Sequence, residues 1–193
     1  EATRGSIVES EHRGAIAVAG PDGGLLLGIG DVLRPVYPRS AIKLLQAIPL
    51  IQSGAAEALG FGDAELALAG ASHNGEPRHV EIAQRMLERA GLGAGDLECG
   101  AHAPLGEEAA RELHAGRSRP TALHNNCSGK HAGMLAAARH GKLATAGYVR
   151  PDHPVQIRVR RLIEELTGET LGEDRCGIDG CSVPNWAIPL AGL

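Results

Sequence analysis

Pro38-Arg-Ser-Ala-Ile-Lys-Leu-Leu-Gln46 is the stretch on which the fold turns. A proline in the first turn or just before it marks a helix start, where a missing N–H costs nothing. Pro49, further along, is placed to kink or divide that helix. Upstream, Gly14-Ala-Ile-Ala-Val18 and Leu25-Leu-Leu-Gly-Ile29 are strand-like runs separated by Pro21-Asp-Gly-Gly24, the punctuation of a β-hairpin. Downstream the signals are helical. Asp63–Ala69 is a short helix, and Pro77 starts a second with Val80, Ile82, Ala83, Met86 and Leu87 mostly on one side, ending at Gly91. A weaker helix covers Glu107–His114. Ser128–His140 is rich in Ala, with Gly129, Ala132 and Gly133 giving it the composition of a tightly packed interior helix. Pro154–Leu166 sets an apolar stripe against Arg and Glu. Cys176–Asn185, broken by Gly, Asp and Pro, reads as a loop or strand entry. One hairpin followed by many helices, with no regular βαβ alternation, gives an α/β protein of the α+β type. It forms a single domain over residues 1–193 whose sheet draws strands from elsewhere.

Composition agrees with a globular chain and excludes several functions. The 193 residues are 43% hydrophobic and 22% charged, with one Trp, one Phe and two Tyr. Core volume must come from Leu, Ile, Val and Ala, with 27 Gly allowing close backbone approach. A net charge of −4, with no Lys/Arg block, leaves no nucleic-acid footprint. No apolar run reaches the length of a membrane span, and no signal-peptide pattern opens the chain. Cys99, Cys127, Cys176 and Cys181 are too few for a disulfide framework, so a reducing cytoplasm is expected. The absence of an initiating Met, and an apolar segment just beginning at Trp186–Leu193, suggest part of a longer enzyme.

Ser40-Ala-Ile-Lys43 is an S-x-x-K tetrad at the helix start. A three-residue helical spacing brings both side chains to one face. A serine hydroxyl is a weak nucleophile until a base takes its proton. Lysine serves as that base when burial or a nearby cation lowers its pKa, and Ala41, Ile42, Leu44 and Leu45 offer an apolar setting. The helix N-terminus favours an alkoxide. The bland alternative is a capping serine beside a solvated lysine. Ala71-Ser-His-Asn-Gly-Glu-Pro77 gathers polar residues before a helix start. It suits a substrate-contacting turn or a capping turn equally well.

His124-Asn-Asn-Cys-Ser-Gly-Lys-His131 crowds donors, acceptors and a thiol into eight positions ahead of the small-residue helix. Zinc favours thiolate and imidazole ligands in a tetrahedral set. Spacing alone selects Cys127, His131 and Cys181, with Cys176 in reserve; buried, unliganded thiols are the alternative. Ser128-Gly-Lys130 lacks the glycine-rich lead of a P-loop.

In sequence order, several stretches together resemble the asparaginase II family, the rhizobial-type L-asparaginases. They are Thr3-Arg-Gly, Val8-Glu-Ser-Glu-His-Arg-Gly14, Tyr37-Pro-Arg-Ser-Ala-Ile-Lys43, Gln46-Ala-Ile-Pro49, Ala71-Ser-His-Asn-Gly-Glu76, His124–Met134 and Asp179-Gly-Cys181. The resemblance implies a serine β-lactamase- or glutaminase-like fold, a sheet packed by helices, incomplete in this chain. It implies hydrolysis of L-asparagine to aspartate and ammonia, by a homodimer. Ser40 with Lys43 matches the family's first Ser–Lys pair, and Ser72 matches the serine of a second, whose lysine lies past Leu193. The implied zinc ligands are Cys127, Lys130 and Cys181, which replaces His131 by Lys130, an amine that must be deprotonated to bind. His131 and Asp179 then become substrate-orienting candidates, and Arg39 a candidate for the substrate carboxylate. Two rivals stand beside this reading. One is a penicillin-recognising, β-lactamase-like hydrolase, which shares S-x-x-K, although no S-D-N is present and any K-T-G would lie past Leu193. The other is a non-catalytic, zinc-stabilised fragment.

Overall fold

The computed structural model describes residues 1–193 as seven α-helices and eight short strands. The helices are α1 (Lys43–Gln52), α2 (Ala55–Ala58), α3 (Asp63–Ala69), α4 (Pro77–Arg89), α5 (Glu107–Ala115), α6 (Ser128–His140) and α7 (Pro154–Thr167). The strands pair only as four separate antiparallel ladders. β1 (Ala2–Arg4) pairs with β2 (Ile7–Ser10), and β3 (Ile16–Ala19) with β4 (Leu25–Ile29). β5 (Pro35–Val36) pairs with β8 (Ile188–Pro189), and β6 (Cys176–Ile178) with β7 (Pro184–Trp186). The chain is thus mixed helix and small antiparallel sheet, without a barrel. No helix is long and apolar enough to cross a membrane.

The expected hairpin forms as β3–β4. Its apolar side chains, and those of β1–β2, remain exposed; Ile7 and Leu26 are each 72% accessible. A two-stranded ribbon has no second layer against which to bury them. The S-x-x-K helix is more irregular than its sequence suggests. Arg39–Ile42 is a 3₁₀ turn, and α1 begins only at Lys43. Pro49 lies inside α1, which runs on to Gln52 without dividing.

The core is built around α6, whose residues Ser128–Ala138 are all buried. α1, α2, α3, α4 and α7 pack around it. A helix buried on every side shows no amphipathic stripe, and its small residues let neighbours approach closely. Gly129 shows the limit: a Cβ there would stand 2.5 Å from the Leu68 carbonyl of α3. α3 is tied in turn to α4, where Arg85 Nε donates to the buried Glu65 carboxylate at 3.0 Å. This packing fixes α1, the loop after α3 and the start of α6 around one point.

Candidate active site

Lys43, at the start of α1, is only 2% accessible, and no carboxylate pairs with it. Its ammonium finds three oxygens. Nζ donates to Ser72 Oγ at 2.7 Å, to the Ala71 carbonyl at 3.0 Å and to the Asn126 carbonyl at 3.3 Å. Three acceptors match the three N–H bonds of an ammonium. Ser72 stands exposed above this buried amine, on the edge of a cavity of about 390 Å³ that His73, Asn74, Glu76 and His79 also line.

Ser40 sits elsewhere. It is exposed, while Lys43 turns inward to Ser72. Arg39, at the head of the 3₁₀ turn that precedes α1, holds φ +50°, a left-handed value that costs a non-glycine residue energy. Arg39 Nη2 meets Asp179 Oδ1 at 2.9 Å, tying this turn to the loop between β6 and β7. The residues expected to meet substrate at Arg39 and Asp179 therefore neutralise each other.

The loop that carries Ser72 is anchored by the residue after it. His73 is buried, its backbone N–H donates to the Asn126 carbonyl at 3.2 Å, and its Nδ1 accepts the Gly75 N–H at 3.1 Å. Nε2 therefore carries the proton and donates to Ser128 Oγ, 2.8 Å away at the start of α6. Burial, then the nearby His79 and Lys43, pushes the His73 pKa down to about 4. Gly75 is needed here: it holds φ +72°, and a Cβ would stand 2.9 Å from the His124 carbonyl. His102 Nε2 accepts the Asn126 N–H at 3.1 Å, steadying the residue whose carbonyl receives Lys43.

Beneath this pair lies a buried thiol cluster. Cys127, Lys130 and Cys181 are each at most 6% accessible, and Lys130 Nζ donates to Cys181 Sγ at 3.2 Å. The Cys181 thiol is pulled far down by its hydrogen bond from Cys127, with help from His131 and Lys130 against the cost of burial. Cys127 is pushed up correspondingly, by that same hydrogen bond and by burial. Burial pushes the neighbouring Cys99 up to about 11. Cys176 stands apart, half-buried on β6. No group of three His, Cys, Asp or Glu side chains is arranged to hold a metal ion. A three-donor set exists only when Lys130 joins the two sulfurs, and two sulfurs with an amine nitrogen suit a borderline-soft cation.

Sequence reasoning missed Asn126, His73, His102 and Tyr148 as supporting groups. The first two lie inside the quoted motifs and offered a signal. His102 and Tyr148, whose hydroxyl meets His131 Nδ1 at 2.6 Å, offered none.

Comparison with known proteins supplies the identity. The family model described as L-asparaginase II matches residues 1–193. A search of curated proteins found no match. With a model that spans every residue from the exposed ladders to β8, the chain belongs to the L-asparaginase II family.

Proposed function

We propose that the chain hydrolyses the side-chain amide of L-asparagine to L-aspartate and ammonia, with Ser72 as nucleophile and Lys43 as its base. The observation that carries this is the 2.7 Å contact between a buried amine and a hydroxyl on the edge of an open cavity. Lys43, as the free amine, takes the Ser72 proton while Oγ attacks the carboxamide carbon. The Ala71 and Asn126 carbonyls then hold the resulting ammonium in place. Lys43 returns the proton to the leaving nitrogen, ammonia departs, and water cleaves the aspartyl ester to free Ser72. Ser40, three residues before Lys43 and next to Arg39, which pairs with Asp179, is read as a second hydroxyl outside the Lys43–Ser72 contact.

Zinc belongs to the same reading. Cys127, Lys130 and Cys181 would hold it, and the 3.2 Å contact between Lys130 Nζ and Cys181 Sγ supports that choice. Bound there, the cation would supply a fixed positive charge that orients substrate and stiffens the start of α6. The family fold, a β-lactamase- or glutaminase-like sheet packed by helices, is supported by the β3–β4 ladder leading into the Ser40–Lys43 turn.

Ammonia release from L-asparagine, measured for the wild type and for Ser72→Ala and Ser40→Ala, tests the proposal. Near-normal release by Ser72→Ala would overturn the assigned nucleophile. Absence of release from asparagine alongside turnover of a chromogenic cephalosporin would instead favour a penicillin-recognising enzyme.

A further inference from the structure

Tyr148 is wholly buried and seventeen residues from His131, yet its hydroxyl lies 2.6 Å from His131 Nδ1. The two rings meet edge to face, with centroids 5.5 Å apart. The same hydroxyl oxygen accepts the Glu98 backbone N–H at 3.0 Å. A phenol has one proton to give, and His131 Nδ1 is the acceptor that this one hydrogen-bonds. If Nδ1 carried the imidazole proton, the hydroxyl would accept twice and leave its own hydrogen buried without a partner, a costly arrangement. The phenol therefore donates to Nδ1. A neutral imidazole that accepts at Nδ1 carries its proton on Nε2.

Nε2 of His131 is buried and makes no hydrogen bond. We infer that Tyr148 is a positioning residue that locks His131 in the Nε2–H tautomer, so that its second ring nitrogen presents an N–H rather than a lone pair. His131 then has no free lone pair to offer a cation, and it does not compete with Lys130 for one. This holds with or without a metal and does not depend on the amidase reading.

Long-range ¹H–¹⁵N correlation spectra of histidine-labelled protein test it, with His131 assigned by its loss in His131→Gln. Wild-type His131 should show the Nε2–H pattern both after chelation and after addition of zinc ion. It should also show scalar coupling from the Tyr148 hydroxyl proton to Nδ1. A proton on Nδ1, or loss of the Nε2 proton when zinc is added, would overturn the inference. In Tyr148→Phe with an otherwise preserved backbone spectrum, the Nδ1–H form should appear; an unchanged tautomer would show that Tyr148 does not set it. Should that variant fail to fold, the two wild-type measurements still decide.

Discussion

Lys43 Nζ and Ser72 Oγ lie 2.7 Å apart across twenty-nine residues of chain, whereas Ser40, three residues from Lys43, faces solvent. In the proposed scheme the base comes from the S-x-x-K motif, and its partner hydroxyl from the loop after α3. Replacing Lys43 with Met keeps the buried stem and removes the proton acceptor. Steady-state ammonia release should fall by about 10²–10⁴-fold with little change in melting temperature, the usual range for losing a general base. A Lys43→Met variant with more than about a tenth of normal kcat would argue against this assignment.

His73 gives the pH dependence of stability. Its folded pKa is depressed to about 4, against 6.5 when exposed. Between those values the unfolded chain binds a proton that the folded chain refuses, so stability falls as pH drops from 6.5 towards 4. Below that window the loss is complete, and above it the effect vanishes. Denaturant midpoints should decline across this window with a slope of at most about 1.4 kcal/mol per pH unit. In His73→Gln that contribution should disappear, flattening the profile.

Gly129 sets how closely α6 approaches α3. Gly129→Ala forces a methyl to within 2.5 Å of the Leu68 carbonyl, which only backbone movement can relieve. Overpacking of this kind should cost about 1–3 kcal/mol, read as a lower denaturation midpoint with an unchanged m-value. Gly133→Ala is the control, since its nearest neighbour is the flexible end of Leu50 at 3.2 Å, and it should cost less.

Much of this was legible in the sequence, and what was not has a common cause. The bounds of α6 could be read from Ser128 to His140, since small residues and a following glycine mark them locally. The β3–β4 hairpin declared itself by its turn residues. The Ser72–Lys43 contact did not, because it depends on how α3 packs on α6 and returns its loop over α1. Helical spacing pointed instead to Ser40, whereas the Lys43 amine turns inward to the loop after α3. The β5–β8 pairing joins Pro35 to Pro189, far apart in the chain, which no local signal encodes.

Metal content separates the two thiol readings. Protein purified without chelator should contain about one zinc per chain, and Cys127→Ser or Cys181→Ser should abolish it. Removing zinc by dialysis against a chelator should lower the melting temperature of the wild type and leave the serine variants unaffected. A melting temperature indifferent to chelation in all three would identify the cluster as packing alone.

Covalent trapping tests the central claim most directly. Rapid acid quench during turnover of L-asparagine, followed by peptide mass analysis, should find the aspartyl ester on the peptide containing Ser72 and none in Ser72→Ala. An ester found on Ser40, or full turnover by Ser72→Ala, would contradict it.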